Sequence, residues 1–407
     1  MTEDYKIVKF GDVAKKINKS VNRETTTLYK YVAGQHIKTD DLTIKKCGIR
    51  GDNYLGPAFN KEFKKGQILH LSRNPHLRKV AIPDFDGICA NTTFVIEPTG
   101  KGLLPELVPF VMHSQAFTDH SIRESKGSTN PYINWKDIAK YEFPVPADME
   151  RQKEILEVLL SAENCLLSLS SYIELCQQYK RICLKKYFHP CERKAKLKRL
   201  DPFIGKDRLV HNLQEIADIK GRIGWKGLKA SEYNNNGPYL IANKHILNNE
   251  IQWEICDHIS KYRYDESPEI MLKINDIVIS KDGTLGTIAF IMSLPNEATI
   301  NSTMMLIRIK KLDKISPEYI YYYLQSDSFK KYLKILTAGS TVPHLYQEDM
   351  KQLNLVTPEL KEQRKISELL AKIDICIKEG LKENNSNYNL KFRLINEYFP
   401  SKEEVQA

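Results

Sequence analysis

A long charged and leucine-rich run from Asp148 to Phe188 occurs a second time from Glu359 to Phe399, and nothing else in the chain constrains its fold as strongly. Gln152 lines up with Gln363, 211 positions apart. The same shift superposes Ile155 on Ile366, Glu157 on Glu368, Leu159 on Leu370, Cys165 on Cys376 and Tyr187-Phe188 on Tyr398-Phe399. Each copy closes one half of the chain, so the molecule consists of two versions of one unit.

Both copies read as helices. Ile155, Leu159, Ala162, Leu166, Leu169, Ile173, Cys176, Cys183 and Tyr187 step by threes and fours with only Lys180 interrupting, the spacing of a seam between packed helices. Such a run is about 60 Å long at 1.5 Å per residue. The second copy opens with Thr357 as N-cap, Pro358 at the first helical position and Glu359 at the positive helix end. Its apolar phase slips between Ile377 and Tyr388, where Gly380, Asn384, Asn385 and Asn387 predict a kink or a polar contact. Pro190 and Pro400 stop the helices. Apolar periods this long without internal breakers favour an exposed helical spacer over a pair of core helices.

The repeat extends upstream. A shift of 212 pairs Pro105-Glu106 with Pro317-Glu318, Ser114 with Ser326, Gly127-Ser128-Thr129 with Gly339-Ser340-Thr341, and Pro131 with Pro343. A shift of 208 pairs Ser72 with Ser280, and Asn91 and Thr93 fall opposite Asn301 and Thr303. The expected layout is a domain over 1–147, a helix over 148–190, a basic connector over 191–209, a second domain over 210–358, a second helix over 359–400 and a tail over 401–407. Strands are expected at Gln67–Leu71, Ile88–Ile96, Asp276–Ser280, Thr287–Met292 and Thr303–Ile309, and helices at Leu104–Phe117 and Ser316–Leu336. The fold class is therefore α+β, with two pseudo-repeated mixed domains and two long helices. The connector's run of Arg193, Lys194, Lys196, Lys198 and Arg199 reads as a solvated linker rather than a phosphate contact.

Eight cysteines lack any C-x-x-C pair, and three of them, Cys165, Cys176 and Cys183, are placed in the apolar seam of the first helix, which fits reduced packed thiols better than zinc or disulfides. No apolar run reaches the roughly 18 residues of a membrane span, and the N-terminal residues lack a signal-peptide profile, so a cytoplasmic protein is expected. A net charge of +10 leans toward a polyanionic partner.

Two phrases resemble active sites and fall short of them. Asn130-Pro131-Tyr132 resembles the N-P-P-Y element of amino-methyltransferases, but one proline is missing and no F-x-G-x-G loop precedes it; the second half has Val342-Pro343-His344 there. Lys281-Asp282-Gly283-Thr284 resembles a phosphatase loop, but Ser280 stands where the nucleophilic carboxylate belongs. No catalytic residue and no metal ligand is assigned. What remains is binding. Arg73, Asn74, His76, Arg78, Lys79, Lys126, Ser128 and Thr129 in the first half, with Lys281, Thr284, Ser340, Thr341 and His344 in the second, supply cations, hydroxyls and glycine-permitted close approach suited to phosphates and base edges. The G-S-T letters also fit a plain turn with a helix cap at Thr129 or Thr341.

The chain resembles the specificity subunit of type I restriction-modification systems. The resemblance rests on the G-S-T loop leading into a short polar helix, on Phe143-Pro144-Val145-Pro146 and Val356-Thr357-Pro358-Glu359, on the E-R-Q-K-E-I and K-E-Q-R-K-I runs at 150–155 and 361–366, and on the duplicated layout. It covers nearly the whole chain. It implies two target-recognition domains that each read half of a split, asymmetric double-stranded DNA sequence, with the two helices packed antiparallel as a ruler. It further implies two docked methyltransferase subunits, restriction subunits that join them, and AdoMet, ATP and magnesium carried by those partners. The competing classes are a self-contained DNA methyltransferase or nuclease and a DNA-independent coiled-coil adaptor.

Overall fold

The computed structural model describes residues 4–52, 54–188, 209–222, 228–338 and 343–406. Residues 191–208 of the basic connector expected over 191–209, with Ser340 and Thr341 of the second G-S-T loop, lie outside the described residues, and Leu209 already belongs to a strand. The chain forms two compact units, residues 1–171 with 381–407 and residues 172–380.

Both repeated runs are continuous helices, Met149–Tyr187 and Leu360–Tyr398. They run antiparallel. In the first unit the start of the first helix and the end of the second share one core, through Ile155, Leu159, Ile395 and Phe399. In the second unit the roles are exchanged, and Ile366, Leu370, Leu184 and Phe188 share a core. The helix starts are fastened in the same way. Gln152, fully buried, accepts from Leu104 N and donates to the Gly102 and Pro146 carbonyls; Gln363 accepts from Ser316 N and donates to Lys314 and Pro358. A buried amide with its partners in place satisfies chain ends that helix packing would otherwise strand.

The second helix is continuous through the stretch Gly380 to Asn387, where a kink or a polar contact is expected. A Cβ at Gly380 would lie 2.9 Å from Ile173 Cγ1 and 3.4 Å from Tyr172 Cδ1, so this glycine permits close helix approach. Asn387 donates to the Glu383 carbonyl one turn back and leaves the helix intact. Cys165, expected in the seam, is exposed, and the buried Glu163 takes the neighbouring inward position. The described cysteines are all free thiols.

In the first unit a four-stranded antiparallel sheet has the order Ala14–Ile17, Thr93–Pro98, Ile68–Leu71, Val80–Ala81. A second sheet, Gly48–Ile49, Lys30–Val32, Gly87–Ala90, Phe59–Phe63, contains one parallel pair, Lys30–Val32 with Gly87–Ala90. A ribbon of Tyr5–Lys9 and Glu142–Pro146 leads into the first long helix. The second unit repeats this plan. Its sheets are Ala217–Gly221, Met304–Ile309, Ile277–Ser280, Ile288–Phe290 and Asp257–Ile259, Tyr233–Ile241, Ala298–Ile300, again with one parallel pair. Leu209–Asn212 and Asn354–Thr357 form the matching ribbon.

Three expectations are revised. Ile88–Ile96 is two strands in different sheets, Gly87–Ala90 and Thr93–Pro98, because the chain turns at Asn91-Thr92. The helices expected at 104–117 and 316–336 are each interrupted by a serine in extended conformation, Ser114 and Ser326, whose hydroxyls cap the next helix at Phe117 N and Phe329 N. The Ser72–Ser280 match is one residue out of register. Leu71 pairs with Thr93 whereas Ser280 pairs with Met304, and Ser72 N donates to Thr92 O as Lys281 N does to Thr303 O. Lys281 is thus the equivalent of Ser72, and Asp282 that of Arg73; a one-residue slip in a strand exchanges its two faces.

Candidate nucleic-acid interface

In the first unit the chain leaves the strand Ile68–Leu71 at Ser72 and meets a hairpin formed by 126–132. Lys126 and Tyr132 exchange both backbone hydrogen bonds, at 2.8 and 2.9 Å, and enclose the exposed Gly127, Ser128 and Thr129. Gly127 has φ 87°, which the hairpin tip requires. Ile133 N donates to Ser72 O and Asn74 N to Pro131 O, so the two loops are stitched into one surface. The short helix that follows, Trp135–Ile138, is preceded by Asn134, so Thr129 caps nothing and is free to serve at the tip.

Beside this hairpin lies an open groove of about 610 Å³. Lys16, Arg73 and Lys136 supply cations, Phe94, Tyr132 and Trp135 supply aromatic walls, and Asn91, Thr92 and Asn134 supply neutral hydrogen-bonding groups. The Lys16 ammonium stands 5.6 Å from the Phe94 ring centre and that of Lys61 5.9 Å. Lys61 also donates to the Asn91 and Thr93 carbonyls, and burial above all lowers its pKa. Cations beside aromatic faces, with amides between them, fit a charged backbone and planar bases.

The remaining first-half candidates separate into two sets. Arg73 and His76 are exposed, as are Lys126, Ser128 and Thr129. Asn74 has φ 52° and shapes the loop. Arg78 and Lys79 are occupied within the protein. Arg78, itself at φ 44°, directs Nε to Asp40 Oδ1 at 2.7 Å and Nη2 to Asp40 Oδ2, and its guanidinium lies 4.6 Å from the Phe392 ring centre. Tyr388 hydroxyl donates to the same Asp40 carboxylate. Lys79 donates to the Gly34 carbonyl at 2.6 Å. Arg78 therefore clasps its loop to the second long helix, and its fork geometry is used up on a carboxylate that is 5% exposed.

The second unit builds the same frame with other side chains. Leu345 N donates to Lys281 O as Ile133 N does to Ser72 O, which places His344 where the first unit has Tyr132. Asp282 stands opposite, and His344 Nδ1 hydrogen-bonds to its carboxylate. The Tyr346 ring centre is 4.4 Å from that of His344. Gln347 opens the short helix that Trp135 opens in the first unit, and a Cβ at Gly221 would meet Gln347 Nε2 at 2.9 Å and Lys281 Nζ at 4.0 Å. Thr284 is exposed, and its carbonyl accepts from the Ser280 hydroxyl. Ser280 is fully buried and closes this turn, which accounts for the phosphatase-like letters in structural terms.

Lys16, Phe94, Asn134, Trp135, Lys136 and Asp282 are not among the binding residues that the sequence points to, Asp282 having entered only as part of the phosphatase-like phrase. Trp135 and Lys136 lie three and four residues after Tyr132 of Asn130-Pro131-Tyr132 and could have been found by reading on; Lys16 reaches the groove only because its strand pairs with Thr93–Pro98.

The family model for the type I restriction modification DNA specificity domain matches residues 2–173 and 207–385. The chain is similar to the MjaVIII type I restriction enzyme specificity subunit of Methanocaldococcus jannaschii, 25% identical and covering 97% of this chain and 92% of that one. It is also similar to the HindI specificity subunit of Haemophilus influenzae, 22% identical over 87% of this chain and 90% of the other. In fold it resembles the type I restriction-modification S subunit from M. genitalium, with a TM-score of 0.62 at 17% identity and coverage of 98% and 97%.

Proposed function

Because the chain belongs to the type I restriction-modification DNA specificity family, we propose that it is the sequence-reading subunit of such a complex and recognises a bipartite, asymmetric double-stranded DNA target. The observation that carries this reading is one backbone frame built twice with unlike side chains: Arg73 beside Tyr132 in the first unit, Asp282 bonded to His344 in the second. Equal frames give both units the same way of meeting a duplex. Unequal side chains, one cationic and aromatic, the other a carboxylate–imidazole pair, select different base edges.

In this reading the chain is not a catalyst. Methyltransferase subunits bring AdoMet, and restriction subunits bring ATP and magnesium. The partners are double-stranded DNA and those two kinds of subunit, two copies of the methyltransferase among them, and the complex works in the cytoplasm; among the described residues no helix is long and apolar enough to cross a membrane. Tyr172, Leu175, Tyr179 and Ile182 follow helical spacing along the first long helix and are 44, 63, 51 and 62% exposed. An apolar stripe of this kind on a helix supports a methyltransferase docking face. Lys126, Arg73 and Lys136 hold phosphate in the first half-site, with Ser128, Thr129 and His76 at its loop edges; Lys281, Thr284 and His344 serve the second.

The test exchanges residues 210–358 for the corresponding domain of a relative and maps methylated bases in cells that carry the methyltransferase subunit. One half-site is expected to change and the other to persist. A change in both, or in neither, would overturn the split-reader function.

A further inference from the structure

We propose that His344 is a base-reading residue of the second unit and that Asp282 is its positioning residue, fixing which hydrogen-bond polarity the imidazole presents to DNA. This rests on the specificity reading above and names the groups that carry it out.

The geometry begins with the backbone. Leu345 N bonds to Lys281 O at 3.0 Å and Lys281 N to Thr303 O at 2.9 Å, so the segment that carries His344 is tied to the strand end that carries Asp282. Gly283 at φ 69° and Gly286 at φ 78° fold the intervening loop back, and the Ser280 hydroxyl closes it. The carboxylate is thereby held at the imidazole by main-chain bonds on both sides.

The chemistry follows from that contact. An ionised carboxylate only accepts, so the Nδ1 facing it carries the proton. The other ring nitrogen, Nε2, is left with one defined role in place of two interchangeable tautomers. A side chain whose tautomer is locked can discriminate between an exocyclic amine and a ring or carbonyl acceptor on a base edge; an unlocked one cannot. His344 is 29% exposed at its side chain and Asp282 37%, so the pair is reachable from solvent while held in place, and the Tyr346 ring packs 4.4 Å away. A surface carboxylate beside Lys281 on a DNA-facing loop opposes phosphate binding, and it is accounted for if its task is to orient the imidazole. At the equivalent place the first unit has Arg73 and Tyr132, so the device belongs to one half-site only.

The experiment uses the assembled methyltransferase complex and sequences its methylation sites for the unaltered subunit, His344→Ala, His344→Gln and Asp282→Asn. His344→Ala is expected to relax one base pair of the second half-site, with discrimination there falling roughly tenfold to hundredfold, the cost of one mismatch. Asp282→Asn supplies an amide that can donate to Nδ1 and so turn Nε2 into a donor; it is expected to change the preferred base at that same pair. His344→Gln should shift the preference without erasing it. An unchanged second half-site in all three variants would sink the inference. So would uniform weakening across sequences with a salt slope lower by about one, which marks a phosphate contact, or failure of all three variants to assemble, which marks a structural clasp. If the unaltered complex methylates without sequence preference, the specificity reading itself fails; if it is specific and the variants match it, only this inference does.

Discussion

Lys391 Nζ lies 2.8 Å from Glu163 Oε2, both residues being buried, and the contact has a counterpart in the other unit, Lys180 Nζ to Asp374 Oδ1 at 2.6 Å. Glu163 and Asp374 are 211 positions apart in the chain, as are Lys180 and Lys391. The two ion pairs are copies in which the helices exchange roles, which an antiparallel pair of duplicated helices requires. The lysine that interrupts the apolar seam of the first helix is thus half of a repeated interhelical pair.

The two copies differ in burial, and their contributions should differ accordingly. Lys391 also donates to the Asp40 carbonyl at 3.1 Å, so Lys391→Met leaves Glu163 buried without a partner and is expected to cost about 3–5 kcal/mol. Glu163→Leu combined with Lys391→Met should recover most of that loss. Lys180→Met, at a pair that is 15 and 33% exposed, should cost roughly 1 kcal/mol or less. Calorimetric melting of the three variants beside the unaltered protein checks the order.

Arg78 and Lys136 should separate stability from binding. Arg78→Ala removes the charged partner of the buried Asp40 carboxylate, leaving it the Tyr388 hydroxyl, and is expected to lower the melting temperature while leaving the salt slope of DNA binding unchanged. Lys136→Ala, in the open groove, should leave melting unaltered and reduce the salt slope by about one. Binding isotherms at two salt concentrations, alongside melting curves, provide the readout.

Gly380 is held by packing. Replacing an interior helix glycine by alanine ordinarily gains about 1 kcal/mol, but here the added Cβ would press on Ile173 at 2.9 Å. Gly380→Ala should therefore give no gain, and Gly380→Leu should cost about 1–3 kcal/mol through overpacking. A melting temperature raised by Gly380→Leu would contradict the close approach.

Acid should weaken the first unit through two buried imidazoles. Burial pushes the His70 pKa down to about 4 and, with Lys391 adding to the effect, that of His113 to about 3. Both are neutral in the folded chain, and in the unfolded chain each titrates near 6.5. Below that value the unfolded state binds more protons, so stability is full above pH of about 6.5 and falls until the folded pKa is reached. For His70 the loss is on the order of 3 kcal/mol. His70→Leu should flatten the fall of melting temperature between about pH 6.5 and 4; an unchanged slope would rule His70 out as its source.

Periodicity and repetition determined much of this molecule in the sequence alone. A helical apolar period, sustained over the first run and broken only by the slip between Ile377 and Tyr388 in the second, favours helices in both, and a shift of 211 that superposes Gln152 on Gln363 forces two similar units. The duplication of the G-S-T segment was legible for the same reason, since Gly127-Ser128-Thr129 and Pro131 recur at one spacing. Tertiary structure decided what each side chain is for. Arg73 and Arg78 are five positions apart on one basic loop, yet one faces an open groove and the other is spent on Asp40 and the second helix. Similarly, Ser280 looked like the partner of Ser72 until strand pairing placed it opposite Met304 and moved Asp282 into the position of Arg73. Local letters specify the conformations a segment can adopt. The partner of a charge depends on a carboxylate or strand distant in sequence, and only the folded chain brings the two within hydrogen-bonding distance.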